Sequence, residues 1–458
     1  MPTTQRIRDP LHNMTVFAGD HGEHLWRLIQ TRPFQRLRRI KQLAFSEMVF
    51  PGATHTRFAH SLGVLHTAED LIGVVKQQQK DIARDERKER TTLYAALLHH
   101  VGHGPFSHAF ESAMKNCVEG WEDHEVLSQR IINETEISEI LCDVDTRFPQ
   151  QVADMLHDDG EKTIHNAIVS SQFDADRLDY MRRDRLMTGS QHAAIDFEWL
   201  IGNLEVGEYT PTVDGEELPA QRTFVLGPKA AQAADGYVLG LFQLHQTIYN
   251  HKATRGVEKL FSALLSRIFK LNRDSRLDAV GLGENHPLIR FFNDPSDLDA
   301  FMDLDDMVIL GSLALLTAAS DPTISQFAER IRDRKLYQCL DIYGRVYAGL
   351  SANRAEEGID AEAYRKTMAI HLELAEHSEP SDERVPRILC DDARRLPYNS
   401  SKEPILIRQR SGELRDITET SDVVRNLRVF QVGRAYFDRD DMEAEAIISA
   451  AIEREMEK

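Results

Sequence analysis

Four histidines, His99, His100, His103 and His108, fall within ten residues of the stretch LYAALLHHVGHGPFSHAFE (93–111). Imidazole is the commonest biological metal ligand and the usual proton shuttle at neutral pH. A single histidine beside Leu97, Leu98, Val101 and Phe106 reads as a core residue with a satisfied ring. Four together call for chemistry. A hydrolytic metal centre needs a few N and O ligands on rigid elements, with positions left open for water or substrate. His60 on an upstream helix, His99 and His100 here and the distant Asp176 could supply such a set, suited to Fe, Mn, Zn, Ni or Co. Spacing leaves a second arrangement open: His99 and His103, four apart on one helix, as a local zinc clamp.

The elements that must position these groups are mostly helical. Residues 5–18 suit a short strand or extended arm around an Asp-Pro break. Apolar residues recur at three and four from His24 to Leu43, and Pro33 splits that run into two helices. The second carries Arg36, Arg38, Arg39 and Lys41, either a solvated basic face or the lining of an anion site. Thr56 is a plausible N-cap for a helix through Phe58, His60, Leu62, Leu65 and Ile72. A charged stretch, KQQQKDIARDERKER, reads as exposed loop before a helix from Thr91 that carries the histidine cluster. His124 opens a further helix.

In SSQFDADRLDYMRRD (170–184), Asp176 shares a helix face with Asp179 and Tyr180; paired surface charges would look the same. Residues 206–229 read as a β-hairpin around VDGEEL, and a long helix follows from Ala230 to about Asn272 with Tyr249, His251, Lys252 and Arg255. The pattern stays mostly helical to Gly349. Beyond Ser351, loops and the strand-like runs RVPRIL, EPILIRQ and LRVFQVGRAYF precede an acidic terminal helix. The reading is a mainly α protein with a helical core over 1–350, a small β-hairpin, and a C-terminal α+β lobe over 351–458.

Composition excludes several classes. Asp+Glu number 74 against 55 Lys+Arg, a formal charge of −19 that disfavours a general nucleic-acid or membrane-surface binder. An anionic substrate therefore needs a locally basic pocket. Four cysteines without CxxC spacing fit free thiols in a reducing cytosol. With no signal-peptide h-region and no run of about 18 apolar residues, a cytoplasmic location without membrane partners is expected.

In their order along the chain, RIRDPLH, FQRLRRIKQL, VFPGATHTRFAHSLGV, GHGPFSHAFE, DHE, FDADRLDYMRRD, YNHKATRGVEKL and RDRKLY resemble the HD-domain phosphohydrolases. Within them the likeness is to the deoxynucleoside triphosphate triphosphohydrolases, and it covers most of residues 6–340. The resemblance implies an HD-domain helical core and hydrolysis of dNTPs to deoxynucleoside and triphosphate. It implies one divalent transition metal on His60, His99, Asp176 and position 100, with Mg bridging substrate phosphates. His108, Glu111 and His124 would form the acid–base group at the α-phosphate. Arg57, His103 and Arg177 would hold phosphates; Gln42, Leu43, Tyr180, Asp184 and Tyr249 would frame the sugar, where a packed tyrosine can exclude a 2′-hydroxyl. A homo-oligomer is implied as well.

Two positions depart from the family pattern. The aspartate of the defining His-Asp pair is His100 here, which removes one negative charge and lengthens the ligand. Leu241 stands where many relatives carry a phosphate-reaching arginine. His100 motivates an alternative, a nucleotide-binding or regulatory protein with a decayed centre. Leu241 motivates another, hydrolysis of a different nucleotide phosphoester.

Overall fold

The computed structural model describes residues 4–78, 85–156, 163–213, 216–217, 219–352, 358–378, 384–398 and 404–458. It is mainly helical, with small sheets at its edges, as the sequence pattern predicts. At its centre lies the helix Arg57–Gln78, buried on nearly every side rather than along one stripe. A helix apolar all round belongs inside a protein. One side joins the larger core with Leu97, Leu98, Phe106, Phe110 and the helix Lys252–Arg273. The other side, through Val64, Ala68 and Leu71, joins a second core under Phe173, Leu178, Met181 and Tyr237.

The N-terminal arm is a two-stranded hairpin, Gln5–Asp9 against Asn13–Phe17. The run divides into two helices as expected, Gly19–Ile29 and the short Arg32–Arg36, with Pro33 in the first turn of the second, where a missing N–H costs nothing. The basic run there is structural. Arg36 is fully buried and donates to the carbonyl of Leu304 at 2.6 Å. Arg38 lies 3.5 Å over the Phe58 ring, Arg39 pairs with Asp305 and Lys41 with Glu47. None of the four lines the cavity described below.

Three other expectations change. The charged stretch before the histidines is helical at both described ends, up to Gln78 and from Glu86, with 79–84 outside the described residues. The helix Glu86–Leu98 ends before the histidines instead of carrying them. The run from Ala230 is two helices, Ala231–Leu244 and Lys252–Arg273, separated by a π-helical turn His245–Tyr249. His251 is extended there and its Nδ1 caps Ala253 N, so the second helix starts afresh although the apolar pattern runs through.

The hairpin Leu204–Tyr209 with Gln221–Leu226 forms as expected; the middle of VDGEEL lies outside the described residues. It does not stand alone. Strand Leu406–Arg408 pairs in parallel with Gln221–Leu226 (Val225 opposite Leu406), completing a four-stranded sheet with Leu414–Asp416. A second sheet orders Gln338–Asp341, Phe430–Phe437 and Ile388–Arg395, with Phe430–Phe437 central and antiparallel to both neighbours. A third core, from Leu340 to Ile452, lies beneath it. Arg255 of the helix Lys252–Arg273 donates to both oxygens of the fully buried Asp391, at 3.1 and 2.5 Å, and binds this sheet to the helical body. Among the described residues no helix is long and apolar enough to cross a membrane, and all four cysteines are free thiols.

Candidate metal centre and adjoining cavity

After Leu98 the chain turns tightly through His99–Gly102, with Val101 N donating to Leu98 O and His103 N to His100 O. Gly102 is required at this turn. A Cβ there would lie 2.2 Å from the carbonyl oxygen of His124 and 2.4 Å from the amide of Ser128. Gly102 N donates to Ser128 Oγ, which donates in turn to the His99 carbonyl, so the turn is fastened to the helix His124–Glu134.

This turn, the buried face of Arg57–Gln78 and the first turn of Ala175–Thr188 bring His60, His99, His100 and Asp176 together, with one ligand atom of each within 4.8 Å of the others. Asp174 caps the last helix and fixes Asp176 one residue inside it. From Asp176 Oδ1, His60 Nε2 is 2.7 Å away, His99 Nε2 3.5 Å and His100 Nε2 3.6 Å. Bonds of about 2.1 Å to a shared ion would hold neighbouring donors about 3–3.5 Å apart. The donor set fits a divalent transition metal: three imidazoles and a carboxylate, with His99 Nε2 and both ring nitrogens of His100 buried without a hydrogen-bond partner. Burial pushes the His100 imidazole well below its ordinary pKa, helped by His99 and Arg57, and burial lowers His99, so both are neutral and able to ligate. Burial also opposes the charge on Asp176, but the three imidazoles outweigh it and hold its carboxyl well below the carboxylate range.

Behind the quartet stands a residue to which sequence reasoning gave no function. Asp179 is fully buried; its Oδ2 accepts from His60 Nδ1 at 2.7 Å and its Oδ1 from His12 Nε2 at 2.6 Å. Arg183 donates to both oxygens and reaches on to Asp9 in the N-terminal hairpin. Burial disfavours a charged His60, yet Asp176 and Asp179 raise its pKa to about 9. A carboxylate on Nδ1 fixes the ring and turns Nε2 toward the cluster, the usual support of a histidine ligand. Its spacing to Asp176 was visible in the sequence; its burial was not. Gly63 makes room for it, since a Cβ there would sit 2.0 Å from Asp179 Oδ1.

His108, Glu111 and His124 form a second group beside the first. Glu111 Oε2 lies 3.1 Å from His124 Nδ1 and 3.6 Å from His108 Nδ1, while Oε1 accepts from Lys115 at 2.6 Å. Burial raises the Glu111 pKa, but these partners more than offset it and keep the carboxylate ionised. His103 is buried and its ring stacks on His124 at 4.0 Å. It is therefore not a partner of His99 in a local clamp; the helix on which those two would align has already ended.

A cavity of about 500 Å³ opens from the quartet. His100, Asp176, Arg57 and His108 line one end; Gln42, Leu43, Tyr180, Asp184 and Tyr249 line another part. Arg57 is buried and donates from Nε to Ser107 Oγ at 2.7 Å; burial lowers its pKa to about 10, which leaves it a cation. Phe106 and Ser107 both adopt left-handed backbone (φ 54° and 55°), a strained turn held because Phe106 N donates to the buried Asp306. Tyr249 donates to Asp184 Oδ2 at 2.8 Å, and His55 Nε2 lies 2.8 Å from Oδ1. His103 and Arg177 do not line the cavity, and Leu241 is buried in the second core. Arg255, Glu258, Arg394 and Arg395 do line it. Their signal was weak in the sequence, because the last two arrive on a strand some 200 residues beyond Asp176.

Residues 57–181, which span both ligand helices and the histidine turn, match the HD domain family. Fold, domain match and His/Asp cluster agree: this is a mainly helical protein with an HD domain over residues 57–181, and the cluster lies within that domain. The chain is 28% identical to the uncharacterized protein YwfO of Bacillus subtilis over 440 residues, 92% of this chain and 88% of that one. It is 27% identical over 340 residues to the deoxynucleoside triphosphate triphosphohydrolase SAMHD1 homolog of Dictyostelium discoideum, covering 70% of this chain and 57% of the relative. Its fold is that of a phosphohydrolase crystal structure from Bacteroides thetaiotaomicron, with TM-score 0.72 at 23% identity over 95% of this chain and all of that one.

Proposed function

We propose that this protein hydrolyses deoxynucleoside triphosphates to deoxynucleoside and inorganic triphosphate. The observation that carries the reading is one cavity lined at one end by metal-competent His100 and Asp176 with cationic Arg57, and further along by two tyrosines and a carboxylate. A likeness to named triphosphohydrolases supports it. His60, His99, His100 and Asp176 would hold the metal, which supplies Lewis-acid polarisation of a phosphoryl oxygen. Charge develops on phosphate oxygens during transfer, so a fixed cation at Arg57 stabilises that change more than the ground state. His108 and His124, each beside the Glu111 carboxylate, can take a proton from the attacking water and return one to the leaving 5′ oxygen. Tyr249, held by Asp184 and edge-on to Tyr180 at 6.2 Å, forms a rigid wall that a deoxyribose can approach more closely than a ribose. Arg177 and His103 act, on this reading, from behind the lining, and the chain works as a homo-oligomer.

Incubating purified protein with each of the four dNTPs and several divalent metals, then separating products, tests the proposal. Deoxynucleoside and triphosphate in equal amounts are expected. No product from any dNTP with any metal would refute it. A binding protein with a decayed centre is the competing reading, motivated by His100. It requires that His100→Asp create turnover that the present chain lacks.

A further inference from the structure

The cavity has a cation that neither the metal centre nor the sugar-facing wall uses. Arg395 closes the strand Ile388–Arg395 and lines the cavity together with Tyr180, Tyr249 and His245. Its neighbours show how this chain usually manages a guanidinium. Arg255 has Asp391 and Glu258, Arg183 has Asp9 and Asp179, and Arg177 has Asp174 at 3.6 Å. Among the described residues the Arg395 guanidinium donates no hydrogen bond and enters no ion pair. Desolvation at the cavity lowers its pKa, and the positive charge of Arg177 adds to that.

In a chain of net charge −19, a carboxylate partner would be easy to supply and a second arginine is a costly neighbour. An exposed arginine at a strand end would ordinarily turn into water. This one is held at the cavity because its strand is fixed: Phe430 pairs opposite Arg395, and Arg255 grips Asp391 four residues before it. A cavity-lining cation without a counter-charge, close enough to Arg177 to feel its positive charge, makes a place for an anion.

We propose that Arg395, brought from the C-terminal sheet, binds the distal phosphates of the substrate's polyphosphate chain. The cavity therefore selects nucleotides with a chain long enough to reach from Arg57 to Arg395 and discriminates against monophosphates. This rests on the cavity being a nucleotide site, and makes Arg395 a substrate-binding residue supplied by the lobe outside the HD domain.

Calorimetric titration of the purified protein with inorganic tripolyphosphate and with orthophosphate tests it without requiring turnover. Tripolyphosphate is expected to bind more tightly than orthophosphate. Arg395→Ala should weaken tripolyphosphate by about 10-fold or more, the worth of a charged hydrogen bond, and leave orthophosphate within about 2-fold. Arg395→Lys, which keeps the charge, should retain part of the affinity. The side chain is exposed at a strand end, so its removal opens no core. Equal tripolyphosphate binding by wild type and Arg395→Ala overturns the assignment, as does a wild type with no preference for the longer anion. If the preference and its loss appear in a protein that hydrolyses no dNTP, Arg395 stands and the triphosphohydrolase reading falls.

Discussion

Asp179→Asn should weaken the protein and its metal centre together. The carboxylate accepts four contacts from three donor residues: His60 at 2.7 Å, His12 at 2.6 Å and Arg183 at 2.7 and 3.0 Å. Asparagine keeps the shape but carries one oxygen and one N–H₂, so whichever way it turns, one edge presents a donor to donors. Breaking a buried pair from one side costs about 3–5 kcal/mol. The lower end applies because Arg183 keeps both contacts to Asp9, at 2.8 and 3.2 Å. The expected loss is therefore about 3 kcal/mol in urea denaturation of chelator-treated protein. Without its Nδ1 acceptor, His60 is free to change tautomer or rotate, and metal affinity, read by competition with a chromogenic chelator, should fall about 10- to 100-fold. A variant within about 0.5 kcal/mol of wild type, with unchanged metal affinity, would refute the role given to Asp179.

Metal-free protein should lose stability between about pH 6.5 and 9. The folded His60 pKa is raised from 6.5 to about 9, so its contribution is complete below 6.5 and gone once pH passes 9. The shift corresponds to about 3 kcal/mol at most; a flat thermal midpoint across that window in chelator-treated protein would contradict it. Gly102→Ala should cost at least about 1–3 kcal/mol, because the new Cβ meets backbone of His124 and Ser128 that cannot step aside, and should lower turnover as the histidine turn lifts from its neighbour. Native melting and activity in that variant would contradict it. Deleting 351–458 should give an aggregating fragment, since Leu389 and Tyr436 belong to the main core and strand Leu406–Arg408 pairs with Gln221–Leu226. A monodisperse fragment with native near-UV dichroism would show the two parts to be independent.

The cluster was legible because its ligands sit in short, locally encoded frames. His60 lies one turn into a helix, His99 and His100 are adjacent, and Asp176 follows its capping Asp174 by two residues. Periodicity misread the ends. It carried a helix through the histidines and another through Tyr249, because apolar spacing says nothing of a turn held by a distant Ser128 or a break capped by His251. Charge was ambiguous for the same reason. The basic run 36–41 and the paired charges of 174–184 look alike as solvated faces, yet Arg36 is buried on a carbonyl and Asp179 behind a histidine.

By itself the sequence determined a mainly helical protein and offered the four metal-competent side chains as one of two arrangements, while the grouping of His108, Glu111 and His124 came from the resemblance to the HD-domain phosphohydrolases. Tertiary structure alone decided which histidine faces the metal cluster and which stacks on His124, that Asp179 orients His60, and that Arg394 and Arg395 form part of the cavity. The last two of those relations join segments separated by more than 100 residues. Their distances follow from how three cores and two cross-chain sheets close on one another, a sum over packing that no local pattern contains.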